Sequence, residues 1–363
     1  MILGVFTGLT THGGIQQYGR LAAAVIAVRA QETGEEYRLL GLNDPPGRHE
    51  LGIAGTRFVV TGFGRNKSRF AAAVLHGARA LRLAYLNHPN LAPLGLGLRA
   101  LKPATRYVAS TYGLEVWEPL PKLRRMGLRS ADVVTAIAEF NATRTIVSQG
   151  IEARRIAIVP CALAPDFCAP NDATSPSQAH CAHRGGPMLL TVARLVRGEQ
   201  KGVDSVIEAL PQVITAIPDV CYVVIGEGDD RARLEQLARD LGVGDHVIFT
   251  GALGDAAVRS FYQSCEAFVM PSRSEGFGIV FLEAMALAKP VIGGNHGGTP
   301  EIWDDGTAGF LVEHGDIAGL ADRIKHLLGD GALRARMGAA GRRIVATRFS
   351  FDHFRRNFTE LLG

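Results

Sequence analysis

The sequence predicts an α/β protein with two doubly wound, parallel-sheet domains and a C-terminal helical tail. Three observations carry that prediction. Short β-rich runs alternate with helical patterns from the first residue onward, a proline-broken stretch at 164–187 interrupts the rhythm, and the alternation then resumes. A length of 363 residues also exceeds what one core fills comfortably, since domains run to roughly 150–200 residues.

Residues 1–6 form a short apolar run that meets Thr7 and Gly8 without a basic leader or a cleavage-type ending, so they read as a buried strand. A helix over about 15–29 follows, then strands near 37–42 and 57–60, and a helix over about 67–83. Strands near 84–87, 105–110, 132–136 and 156–159, separated by helical patterns, complete a first domain at 1–165. Pro165, Pro170, Pro176, Pro187 and the polar run 171–175 mark a linker at 166–187. A second Rossmann-like domain at 188–340 has strands at 188–192, 220–225, 246–249, 267–270 and 290–292. From about Gly329 the pattern is helical, with Arg342, Arg343, Arg348, Arg355 and Arg356 along it, and 341–363 is expected to pack back on the first domain.

Hydrophobic residues make up 47% and charged residues 20%, which provides for a large core and argues against disorder. No run of about 18 apolar residues is long enough to span a membrane, so a cytoplasmic protein is expected, with at most a peripheral hold on a membrane. Five cysteines suit a reducing compartment better than a disulfide framework. Cys161, Cys168 and Cys181 lie near His180 and His183, but their spacing matches no standard zinc pattern, and neither metal nor cofactor is expected. The net charge of +4 divides into +9 over residues 1–170 and −5 over the remainder. A basic first half suits an anionic membrane surface or a phosphate-bearing acceptor. Nucleic acid is not expected, because neither aromatic platforms nor a recognised binding motif accompany the charge.

In open α/β sheets ligands bind outside the carboxyl ends of the strands, so chemistry is sought just after each strand. After 267–270 comes Pro-Ser-Arg-Ser-Glu-Gly-Phe-Gly and then a helix beginning near Ile279. Gly276, Phe277 and Gly278 present main-chain N–H groups at that helix start, where a diphosphate is favoured. Glu275 precedes the turn and Glu283 lies about 7–8 Å further along the helix, so the two carboxylates can flank one diphosphate. As a helix cap and an interior glutamate they also have a purely structural reading. After 188–192, Arg194 and Lys201 supply positive charge for a leaving group that gains negative charge as its bond breaks. No Asp-x-Asp pattern offers a metal in their place. Weaker signals are Gly13-Gly14 opening the first helix, Gly226 and the Gly251–Leu253 turn for a nucleobase edge, and the glycine turn ending in Glu301.

In this order the pieces resemble glycosyltransferase family 4, the retaining enzymes of the GT-B fold. The matching features are Gly13-Gly14, Arg194 with Lys201-Gly202, the Glu-x7-Glu of Glu275 and Glu283, Ala-Met-Ala at 284–286 and Gly-Gly-x-Pro-Glu at 297–301. The resemblance implies two facing Rossmann-like domains and a hexosyltransferase that uses a UDP- or GDP-sugar without an obligatory metal. It further implies a saccharide or lipid-linked acceptor of polysaccharide or glycolipid synthesis. Arg194 and Lys201 would then grip the diphosphate, Glu275 the sugar hydroxyls and Glu283 the ribose. Where many relatives read His-Gly at a first-domain strand end, this chain has Tyr112-Gly113, and His88 or His12 is an alternative imidazole. Tyr112 and His88 therefore join Arg194, Lys201 and Glu275 as candidate catalytic residues. Basic residues over 63–86 and 122–129 suggest a face for anionic lipid. Rival readings are another GT-B enzyme, an epimerase or phosphorylase, and an inactive nucleotide-sugar-binding protein.

Overall fold

A computed structural model describes residues 1–168 and 185–363. The chain forms two compact units, one of Met1–Asp166 with Phe349–Gly363 and one of Phe167–Arg348. The linker expected at 166–187 falls mostly on 169–184, outside the described residues, as do His180, Cys181 and His183.

The first unit is built on eight strands: β1 (Ile2–Phe6), β2 (Tyr37–Gly41), β3 (Gly47–Ile53), β4 (Thr56–Gly62), β5 (Leu83–Leu86), β6 (Arg106–Ser110), β7 (Val133–Ala136) and β8 (Ile156–Ile158). Their order is β3-β4-β2-β1-β5-β6-β7-β8. β1 and β5 are buried along their whole length, as continuous apolar strands of a parallel sheet covered on both faces must be. Only β3 runs antiparallel, joined to β4 through Ala54 and Gly55 at φ 54° and 74°, the conformation of a tight two-residue hairpin. This edge hairpin was not expected. β3 alternates exposed and partly buried residues, so it carries no apolar run to announce it. The helix expected over 67–83 spans Lys67–His76, and the chain passes through a short 3-10 turn, Ala78–Ala80, into β5.

Within this unit the chain end completes the core. The Leu163 N–H donates to the Phe349 carbonyl (3.1 Å), and the Ser350 hydroxyl caps the helix Phe351–Leu362 by accepting from the His353 N–H (3.3 Å). That helix sets Phe354 edge-on to Tyr18 and Phe358 edge-on to Tyr85, with ring centroids 5.1 and 5.0 Å apart.

The second unit has six parallel strands: β9 (Met188–Val192), β10 (Cys221–Ile225), β11 (Val247–Gly251), β12 (Ala267–Met270), β13 (Val291–Gly294) and β14 (Gly309–Val312). Their order is β11-β10-β9-β12-β13-β14. β14 is an addition to the strands expected from the sequence. The chain winds outward from β9 through β10 to β11, then returns to β12 on the other side of β9 and winds out to β14. Neighbouring β9 and β12 thus form the switch point, where a doubly wound sheet opens its crevice. Cys161 and Cys265 are buried free thiols, whereas Cys221 is disulfide-bonded, a departure from the thiol-only chain expected. No helix among the described residues is long and apolar enough to cross a membrane.

Candidate active site

The loops leaving β9 and β12 are stitched together. The Gln200 carbonyl accepts from both the Ser272 hydroxyl and the Arg273 N–H, each at 2.9 Å. Gly202 has φ 78°, and a Cβ there would lie 2.5 Å from the Pro271 carbonyl oxygen, so only glycine lets the loops approach this closely. The approach brings Lys201 Nζ to 3.0 Å from Glu275 Oε2, with 15% and 16% of the two side chains exposed. Arg194 is 73% exposed and leans on Glu199 at 2.8 Å, leaving its guanidinium at the surface. Residues 194–196 and 198–204, with Asp230 from the turn after β10 and Arg233 from the helix that follows it, line an open hollow.

Glu275 is also fixed from behind. Its carbonyl accepts from the Gly298 N–H (3.0 Å), and a Cβ on Gly297 would come within 2.1 Å of that carbonyl oxygen. The Gly-Gly-Thr-Pro-Glu turn after β13 therefore positions the β12 loop. Gly278, at φ 95°, caps the helix Ile279–Ala286, and Phe277 is buried beside it, while Gly276 and Ile279 are partly buried. Gly226 donates to the Gly251 carbonyl (3.0 Å), and a Cβ on it would stand 1.8 Å from the Ala193 carbonyl oxygen. These glycines draw the loops after β10 and β11 against the β9 loop. Leu253 lies partly buried just beyond.

Glu283 projects from an apolar helix and accepts from the Tyr262 hydroxyl at 2.9 Å. Burial pushes its carboxyl up to about 7, against the pull of that hydrogen bond and with some reinforcement from the Asp255 charge. Near neutral pH it is thus divided between an acceptor and a donor form.

In the first unit, the loop after β1 that leads to Gly13-Gly14 hangs on Asp44. This fully buried carboxylate accepts from the Leu9 N–H, the Thr10 N–H and the Thr10 hydroxyl, at 2.8, 2.8 and 2.7 Å. Gly13, Gly14 and His12 are exposed beyond it. His88 follows β5, and its Nδ1 accepts from the Asn90 N–H (3.1 Å), which leaves the proton of the neutral ring on Nε2. Burial, and then the positive charge of Arg124, hold its imidazole down at about 4. His88 is consequently a neutral hydrogen-bond donor across physiological pH. Tyr112 sits at the end of β6 with its ring edge-on to Tyr18 at 5.2 Å, only 7% exposed. Its hydroxyl is buried near that of Tyr85 without a well-formed hydrogen bond, and burial drives its pKa far up. Placed so, Tyr112 packs edge-on against Tyr18 with its hydroxyl buried. Among the described residues, no three His, Cys, Asp or Glu side chains gather as metal ligands.

Residues 177–344 match the family of Glycosyl transferases group 1. The chain is 35% identical over 251 residues to a GDP-mannose-dependent alpha-(1-6)-phosphatidylinositol monomannoside mannosyltransferase of Mycolicibacterium smegmatis, a match covering 66% of this chain and 65% of that enzyme. It is 33% identical over 296 residues to a GDP-mannose-dependent monoacylated alpha-(1-6)-phosphatidylinositol monomannoside mannosyltransferase of Corynebacterium glutamicum, covering 75% of this chain and 74% of that one. The chain belongs to the group 1 glycosyl transferases. This glycosyl transferase has the GT-B fold, with two Rossmann-like parallel-sheet domains and a helical tail. The same fold is seen in Anabaena HepE in complex with UDP, which superposes with a TM-score of 0.79 at 21% identity over 99% of both chains.

Several residues that organise this glycosyl transferase gave no sequence signal. Asp44 sits in an ordinary Asn-Asp-Pro-Pro turn, and Gln200, Ser272 and Tyr262 act through contacts 72, 72 and 21 residues away along the chain. Gly202 and Gly297 stood inside the quoted motifs, and their positive φ and the close backbone approach they allow emerge only in the fold.

Proposed function

We propose that this protein transfers a hexose from a GDP- or UDP-sugar, with retained anomeric configuration and without a metal ion, to a saccharide or lipid-linked acceptor. It would act in glycolipid or polysaccharide assembly, at the cytoplasmic face of a membrane. The observation that carries the proposal is the Lys201–Glu275 pair, locked at the β9/β12 switch point in a chain similar to GDP-mannose-dependent mannosyltransferases. Lys201, Arg194 and the main chain at Gly276 to Gly278 would meet the charge that builds on the diphosphate as the glycosidic bond breaks. Glu275 would hold sugar hydroxyls and Glu283 the ribose. The donor phosphate oxygen, on the same face as the acceptor hydroxyl, would take the acceptor proton, since Tyr112 is buried and His88 already carries its proton on Nε2.

GDP-mannose and UDP-glucose are offered separately, in EDTA, with a mannosyl phospholipid and with a soluble alkyl mannoside, and the product's anomeric signal is read by proton NMR. An α-linked product from one donor, with kcat/KM reduced about a hundredfold by Lys201→Met, is expected. An absolute need for added divalent metal, or a β-linked product, would overturn the reading.

A further inference from the structure

We propose that Glu199 is a positioning residue for donor binding: it holds the Arg194 guanidinium at the hollow beside β9, so that a nucleoside diphosphate meets a cation already ordered. The proposal rests on the reading of Arg194 as a diphosphate ligand, and it assigns a part to a residue that reading leaves idle.

The two side chains differ sharply in freedom. Arg194 is 73% exposed, and a long arginine at the surface samples many rotamers unless something holds it. Only 19% of the Glu199 side chain is exposed, and its Oε1 lies 2.8 Å from Arg194 Nη2. Its Oε2 is buried with no hydrogen-bond partner among the described residues, so this oxygen draws the carboxylate to no second donor. A buried polar atom left unpaired is costly and uncommon. The chain bears that cost in a carboxylate whose ion-pair partner is a candidate ligand of the donor.

The main chain around Glu199 is pinned on both sides. Before it, the Leu195 N–H donates to the Glu227 carbonyl and the Leu195 carbonyl accepts from the Asp230 N–H, each at 2.9 Å. The Arg197 N–H donates to Asp229 Oδ1 at 2.9 Å, and the Glu199 N–H closes the turn on the Val196 carbonyl at 3.0 Å. After it, Gln200 is tied to the β12 loop and Lys201 to Glu275. Three successive residues thus divide the work: Glu199 sets Arg194, Gln200 joins the two loops and Lys201 faces Glu275. A carboxylate in so rigid a frame orients a cation that is otherwise mobile, and less ordering is left for the moment of binding.

Glu199 and a phosphate can share the arginine. One oxygen of the carboxylate is engaged, whereas a guanidinium has five N–H donors, which leaves several for a ligand entering the hollow that Arg194, Glu199 and Lys201 line together. A glutamate that merely competed with the diphosphate for Arg194 would have the opposite effect, since removing it would tighten binding.

The test is calorimetric titration of GDP and of UDP into the full chain and into Glu199→Ala, Glu199→Gln, Arg194→Ala and Arg194→Ala/Glu199→Ala. For the nucleotide that binds the wild type, Arg194→Ala is expected to weaken binding most. Glu199→Ala should raise Kd about five- to tenfold, the effect of having to order one long side chain on binding. Glu199→Gln, whose amide oxygen can still accept from Arg194, should recover most of that loss. In the Arg194→Ala background Glu199→Ala should change Kd no further, whereas a glutamate needed only to shape the loop would cost affinity there too. Circular dichroism spectra unchanged from wild type establish that the variants fold. If Glu199→Ala binds as tightly as wild type or more tightly, or if the two losses add, the proposal is overturned while the reading of Arg194 stands. If neither nucleotide binds the wild type, or if Arg194→Ala binds like wild type, the donor site itself is misassigned and the proposal falls with it.

Discussion

Lys201 and Glu275 meet across 74 residues of chain, with only about a sixth of either side chain exposed. Removing one partner leaves the other desolvated without a counter-charge, which is worse than removing both. Lys201→Met should therefore lower the melting temperature by a few degrees and reduce transfer. Lys201→Met/Glu275→Leu should recover most of the stability and none of the activity, as read by thermal unfolding alongside kcat/KM. If the double variant is no more stable than the single one, the pair is not the structural unit described. Glu283 behaves in the opposite sense. Its folded pKa of about 7 lies above the ordinary carboxylate value of 4.5, so the unfolded chain binds fewer protons between those limits. Its contribution to stability is complete below about 4.5 and is lost as pH rises toward 7. Glu283→Gln should flatten the fall in melting temperature across that window. An unaltered pH profile would show that Glu283 titrates as an ordinary surface acid. Both glutamates were visible in the sequence as a spaced pair. Their unequal environments were not, because Tyr262 and Lys201 reach them only through the fold.

At the scale of elements, the six-stranded sheet serves the site through loops that only glycine can close. Gly297 shows the consequence. With φ 67° and a virtual Cβ 2.1 Å from the Glu275 carbonyl oxygen, it cannot become alanine without displacing the loop that holds Glu275. Gly306 has φ 80° and open space around it, so alanine there meets only the conformational cost, about 1 kcal/mol. Gly297→Ala should thus lose donor affinity, measured by nucleotide titration, as well as stability, whereas Gly306→Ala should lose stability alone. Matching losses of affinity would remove the positioning role given to the β13 loop. The strands that the sequence announced, β1, β9 and β12 among them, are continuous apolar runs between turn residues. β3 was missed because an edge strand with one wet face has no such run, and the helix starting at Lys67 was overextended because Gly77 and a 3-10 turn end it without a proline.

Over the whole molecule, the chain's path makes the first unit depend on residues made last. Phe349–Gly363 belongs with Met1–Asp166, and its Phe354 and Phe358 lie edge-on to Tyr18 and Tyr85 from the helix after β1 and from β5. The sequence showed an arginine-rich helical end but not where the crossing occurs, since Phe349-Ser350 interrupts the helical pattern by only two residues. Phe358 is fully buried, and truncating such a phenylalanine to alanine costs about 3–5 kcal/mol. At about 2–4 °C per kcal/mol for a unit of this size, Phe358→Ala should lower one calorimetric transition by roughly 10 °C. A second transition, from Phe167–Arg348, should stay in place, because every residue of the Lys201–Glu275 site and its supporting loops lies within that unit. Nucleotide binding should then raise the second transition in both wild type and variant. A single transition that moves as a whole would mean the two units unfold together, and the separate hold of the switch-point loops on the donor would have to be given up.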